Sequence, residues 1–161
     1  PYPGGVHIDN AARSGDPNAF KLPKPSVAGS EFDFSFSGLK TAVINMLHNA
    51  EQKGITLNRN DLAASLQSDI AAILTDKTIR AAQSLGYKKV ALAGGVSANT
   101  GVRAALSEAC KKHGFEFYMP LKSLCGDNGA MIACQGSYNF LAGIRADESL
   151  NAVATLSMEE I

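Results

Sequence analysis

Apolar and polar positions alternate in two rhythms along this chain, and the changes of rhythm mark its elements. From Val6 to Arg13 the pattern predicts a short helix, closed by Gly15-Asp16-Pro17. Residues 18–30, with Pro23 and Pro25 and with Pro17 just before, predict an extended loop. Glu31-Phe32-Asp33-Phe34-Ser35-Phe36 then alternates polar and aromatic residues, which predicts a half-buried strand with its phenylalanines on one face. Ser37-Gly38 switches the period: Leu39, Val43, Met46, Leu47 and Ala50 form the stripe of an amphipathic helix capped by Ser37 and ending near Gly54. Asn58 or Asn60 can cap the next helix, expected from Asp61 to about Leu85. Its stripe is Leu62, Leu66, Ile70, Ile73, Leu74, Ala81 and Leu85, and Gly86 ends it at the position that tolerates positive φ.

Lys88-Lys89 leads into Val90-Ala91-Leu92-Ala93, a short apolar run of the kind buried on both faces in parallel sheets. Gly94-Gly95-Val96-Ser97-Ala98-Asn99 follows, then a helix with Val102, Leu106 and Ala109 inward, closed by Gly114. Phe115 to Met119 predicts a second strand, stopped by Pro120. Cys125-Gly126-Asp127-Asn128-Gly129 opens a last helix, with Asp127 as its N-cap and Met131, Cys134, Tyr138 and Leu141 on one face. Strand, helix, strand, helix in this order predicts an α/β layer with a right-handed crossover.

Composition narrows the chemistry. The chain has 161 residues, a length that suits about one domain. Fifteen Lys and Arg balance fifteen Asp and Glu, which excludes an overall basic field as the means of holding nucleic acid. Cys110, Cys125 and Cys134 are too few for a disulfide framework and contain no C-x-x-C, so the reducing cytosol is the expected setting. Cys110 and Cys134 fall on apolar helix faces and are expected in the core. No apolar run reaches the roughly 18–20 residues of a membrane span. The chain opens on Pro1 in a Pro-Gly turn rather than on Met, which leads us to expect a longer parent protein upstream.

Three places can carry function. Gly94-Gly95 lies where a strand ends and a helix begins, the place where α/β sheets bind ligands. Two bare glycines admit a phosphate or ribose to the backbone, and Asn99 offers both a donor and an acceptor. The alternative is a tight turn with no ligand. Neither a Walker lysine nor a G-x-G-x-x-G pattern is present. Asp127 is either a helix cap alone or a metal ligand in need of partners, and His7, His48 and His113 form no paired motif. Gly4-Gly5 reads as a turn, or as a second backbone approach to a ligand.

The segments Tyr2-Pro3-Gly4-Gly5, Phe34-Ser35-Phe36-Ser37-Gly38-Leu39-Lys40-Thr41, Ala93 to Asn99 and Asp127-Asn128-Gly129-Ala130-Met131-Ile132-Ala133 occur in that order. Together they closely resemble the C-terminal half of the bacterial TsaD family, formerly called Gcp or O-sialoglycoprotein endopeptidase, up to about Gly143. That resemblance implies the actin-like ATPase fold of the sugar-kinase, heat-shock chaperone and actin superfamily. This chain would be the C-terminal lobe, ribonuclease-H-like with a helical insertion. On that reading residues 30–85 are strand plus insertion, 86–143 the nucleotide-binding α/β core and 144–161 a tail.

The resemblance further implies a tRNA-modifying acyltransferase. It moves the threonylcarbamoyl group of threonylcarbamoyl-AMP to N6 of the adenosine beside the anticodon. Gly5, Gly94, Gly95 and Asn99 are then expected to contact the adenylate, and Asp127 to be one ligand of a divalent metal, iron or zinc. The other ligands, a His pair, are expected outside this chain, which alone should bind metal weakly. No catalytic residue is assigned. Expected partners are tRNA, a paralogous dimer partner of the same fold and a small ATPase, all in the cytoplasm and without a membrane. Gly126 stands where the family pattern has Thr or a similar residue, a lost hydroxyl beside Asp127. Lys21, Lys24, Lys88, Lys89, Lys111 and Lys112 read as scattered solvated lysines. The alternative function is a nucleotide-binding or dimerisation module of the same superfamily without catalysis.

Overall fold

The computed structural model describes residues 3–24 and 27–155, so Tyr2 of the opening motif, Pro25 in the loop and the end of the tail lie outside the described residues. Helix α1 (Gly4–Ala12) opens the chain, followed by α2 (Ser37–Gln52), α3 (Arg59–Ser84), strand β1 (Lys89–Ala91), α4 (Thr100–His113), β2 (Glu116–Tyr118) and α5 (Gly129–Leu141). The chain divides into two units, one ending at Gly126 and one beginning at Asp127. The division falls inside the segment 86–143 read from the sequence as one core.

Local chemistry sets the helix ends. The Asn58 side chain accepts from the backbone of Asn60 and Asp61 and starts α3, as one of the two predicted caps. Gly86 takes φ +75, and the Tyr87 N–H returns 2.9 Å to the Ala82 carbonyl, closing the helix end in a left-handed turn. Gly114 does the same for α4 at φ +70. Within the first unit α3 packs against both α1 and α4. β1 and β2 pair in parallel, Val90 opposite Phe117, with α4 as the crossover.

The core lies between α3, α4 and the sheet. One cluster joins Ile79, Ala82, Val90, Cys110 and Phe115, and a second joins Ala71, Val102 and Leu106. Phe117 packs on both. Burial of the valine, leucine, isoleucine and phenylalanine side chains among them stabilises by roughly 1.5–3 kcal/mol each.

Several expectations change. Gly4 and Gly5 are not a turn but the first residues of α1, with Pro3 as N-cap. Residues 31–36 form no strand, because the segment is tied along α3 by side chains instead of a backbone ladder. Glu31 pairs with Arg80, the Asp33 carbonyl accepts from Lys77, and Lys77 sits 5.5 Å from the Phe34 ring centre. Ser37 does not cap α2; the N-cap is Phe36, with no side-chain bond. In β1 only Val90 is buried, so the strand is not covered on both faces in this chain. Leu85, expected on the inner stripe of α3, is exposed, and Ile79 and Ala82 face inward in its place. Cys110 is buried as expected, but Cys134 on α5 is exposed.

Candidate functional site

Beyond β1 the chain keeps one further sheet bond, from the Leu92 N–H to the Tyr118 carbonyl at 2.9 Å, and then turns. Gly94 takes φ +82, a conformation that a residue with a Cβ adopts only under strain. A short 3-10 turn, Gly95–Ala98, closes on it through the Ser97 N–H to the Gly94 carbonyl at 2.9 Å. Both glycines are exposed, and a Cβ built on either would meet no heavy atom within 4 Å. The turn is therefore bare backbone facing open space.

Asn99 caps α4, its Oδ1 accepting the Val102 N–H at 3.0 Å. Its Nδ2 donates to Oε1 of Gln67, on α3, at 2.7 Å. The next residue, Thr100, gives its N–H to Oδ1 of Asp9 at 2.8 Å and its hydroxyl to the same oxygen. Asp9 is buried on α1, one helical turn after Gly5. Burial raises its pKa, but the Thr100 hydroxyl, the Thr100 N–H and the Arg13 guanidinium outweigh burial and hold it below the ordinary value of 3.8. At the head of α4, Asp9 and Asn99 already take the N–H groups of Thr100 and Val102. What remains open at this strand end is the glycine turn.

The site residues thus come together only in part. Gly94, Gly95 and Asn99 form one turn, and the Asp9–Thr100 contact ties α1 to it. Gly5 lies four residues before Asp9, about 6 Å along α1 and on the same helix face. Asp127 is exposed and begins the second unit. It is not the cap of α5: Asn128 is, its side chain accepting the Met131 N–H at 3.2 Å. Asn caps as well as Asp, and the residue next to the first helical one takes the role. Among the described residues no three His, Cys, Asp or Glu side chains form a metal-binding group.

Sequence reasoning passed over Arg103, which stitches the two strand exits together. Its Nε donates to the Ser97 carbonyl, and its Nη2 to the Pro120 carbonyl and to Cys125 Sγ, the latter at 3.2 Å. Its signal was present: a cation in the first turn of a helix opposes the helix dipole and needs another reason to be there. Cys125 is buried, and its thiol pKa is lowered first by the neighbouring Ser97 hydroxyl. Arg103 and Lys122 act in the same sense, and burial acts against them. The Ser97 Oγ is fully buried and makes no hydrogen bond of regular geometry.

A cavity of about 370 Å³ has Ala64, Gln67, Ala71 and Gly101 in its lining, which contains no titratable group.

Known proteins resemble this chain throughout. The family profile of TsaD, described as tRNA N6-adenosine threonylcarbamoyltransferase, matches residues 1–134. Proteins of that name from Staphylococcus epidermidis, Listeria innocua and Bacillus cereus are 45%, 47% and 48% identical to it. The alignments cover 99% of this chain and 46%, 47% and 46% of those proteins. The chain therefore spans about half the length of the curated relatives it matches. Among solved structures, the crystal structure of T. kodakarensis HypF superposes with a TM-score of 0.56 at 20% identity, over 86% of this chain and 17% of that one. This likeness concerns the fold alone.

Proposed function

The chain belongs to the TsaD family, and from that premise we propose that it is the nucleotide-gripping C-terminal lobe of an actin-like tRNA N6-adenosine threonylcarbamoyltransferase. The observation that carries this reading is the exposed Gly94-Gly95 turn, with Asn99 held beside it at the end of β1.

In the reaction, the N6 amine of the adenosine beside the anticodon attacks the carbamoyl carbon of threonylcarbamoyl-AMP. A C–N bond forms, the C–O bond to the AMP phosphate breaks, N6 loses a proton and AMP leaves. This chain's part is to hold the AMP portion still. Gly94 and Gly95 offer bare backbone with open space before it, and Asn99 retains one Nδ2–H after its bond to Gln67. Gly5 contributes backbone from the first turn of α1. The buried Asp9 carboxylate at the head of α4 disfavours a phosphate there, so the ribose and base are the better fit for this turn.

Asp127 supplies one carboxylate oxygen, a suitable donor for a divalent ion such as iron or zinc. The described residues form no set of three such ligands, so the remaining ligands would come from elsewhere in the whole protein. When bound, the ion would supply positive charge to carbamoyl or phosphate oxygens. The whole protein's partners on this reading are tRNA, a same-fold paralogue and a small ATPase, and its setting is the cytoplasm. Among the described residues no helix is long and apolar enough to cross a membrane.

Two experiments test the proposal. In an NMR titration of this chain with AMP, the amides of Gly94, Gly95 and Asn99 are expected to shift; unmoved signals at millimolar ligand refute the nucleotide site. In a chimera, this segment replaces the corresponding half of the Bacillus cereus relative, and tRNA is analysed by mass spectrometry for threonylcarbamoyladenosine. Modified tRNA is expected, and a folded chimera that binds AMP yet leaves tRNA unmodified points to the binding module without catalysis.

A further inference from the structure

We infer that Gln67 is a positioning residue for the Asn99 side chain, an inference that rests on the nucleotide reading of the glycine turn. Asn99 spends its Oδ1 on the Val102 N–H at 3.0 Å. A cap bond alone restrains one end of the amide. The second bond, from Nδ2 to Gln67 Oε1 at 2.7 Å, restrains the other end and fixes the plane of the group. One N–H of the amide is left over, with its direction set by these two bonds rather than by the ligand. A donor held this way costs less ordering when a ligand arrives.

A second observation supports the assignment. A Cβ on Gly101 would lie 2.8 Å from Gln67 Nε2, 2.9 Å from its Cγ and 3.0 Å from its Cδ. The glycine at 101 leaves the passage through which Gln67 crosses from α3 to the head of α4. Ala64 and Ala71, three before and four after Gln67 on α3, are small and buried, which brings the two helices close enough for the reach. Gln67 and Asn99 are 32 residues apart, and no local pattern links them.

The test uses this chain with AMP as the probe, followed by NMR, with thermal unfolding measured alongside. Q67M keeps the size of the side chain and removes the acceptor; Q67E restores an acceptor; G101A displaces Gln67 while leaving its chemistry intact. Loss of one such hydrogen bond is expected to weaken AMP binding by about tenfold in Q67M. G101A is expected to do the same and Q67E to stay close to the parent. The Asn99 side-chain amide signals should move in Q67M and G101A even without AMP. Folded Q67M that binds AMP like the parent, or Q67E as weak as Q67M, overturns the positioning role and leaves the nucleotide site standing. A parent chain that does not bind AMP removes the nucleotide reading and this inference with it.

Discussion

Asp9 and Thr100 are 91 residues apart in the chain and meet at the head of α4, where one carboxylate oxygen accepts both the Thr100 N–H, at 2.8 Å, and its hydroxyl. This contact joins the first helix of the chain to the turn that carries Gly94, Gly95 and Asn99. Its energetics follow from the carboxylate being buried and charged.

Because the pKa of Asp9 is lowered in the folded chain, its contribution to stability is fully present above the unfolded value, near 3.8. It is lost as pH falls through the folded value. Asp9→Ala should cost about 2 kcal/mol at pH 7, the usual worth of charge-assisted bonds to a buried group. The difference from the parent in urea unfolding should shrink as the pH is taken below the carboxylate range. A gap that stays constant from pH 7 down to acid would refute this account of the contact.

Gly15 sits between α1 and the start of α3 with no room to spare. A Cβ there would lie 2.0 Å from the Asn60 carbonyl oxygen, a backbone atom that cannot step aside. Gly15→Ala is therefore expected to destabilise by about 3 kcal/mol, at the upper end of ordinary overpacking. Chemical denaturation would show it as a lower midpoint with an unchanged slope.

Gly95 offers the opposite case. It lacks positive φ and has open space around its Cα, so an added methyl should leave the melting temperature within a degree or two. The same methyl occupies the space proposed for the nucleotide, so Gly95→Ala should abolish AMP-induced shifts. Normal AMP binding by this variant would place the ligand elsewhere.

Arg103 touches the Cys125 thiol as well as two carbonyls. Arg103→Met should raise the thiol pKa toward its ordinary value of 9.0, since a favourable cation is removed while burial remains. It should also cost roughly 2–3 kcal/mol by leaving the Ser97 and Pro120 carbonyls without their donor. The Cys125 Cβ chemical shift followed against pH reads the first effect, and urea unfolding the second. An unshifted titration would show that Ser97 and Lys122 suffice.

The sequence spoke most clearly where the physics is local. Asn58, Gly86 and Gly114 mark helix ends because caps and left-handed turns are decided within a few residues. The glycine turn after β1 was legible for the same reason. Residues 31–36 misled because alternation suits a strand only if a neighbour supplies a ladder; here Lys77 and Arg80 of α3 hold the segment instead. Asp127 and Asn128 are both good caps, and side-chain rank could not separate them. Asp9–Thr100 and Gln67–Asn99 left no trace in the pattern, since each joins residues that only the folded chain brings together.

The guanidinium of Arg103 is shared between the exits of both strands. Neither exit can drift alone without stripping a donor from the other, so fluctuations on the two sides should be correlated. Widening at this end of the sheet would then require a hinge outside Ser97–Pro120, with the pair of loops travelling as one piece. Relaxation measurements on the two segments should accordingly report a common rate, and Arg103→Met should split it in two.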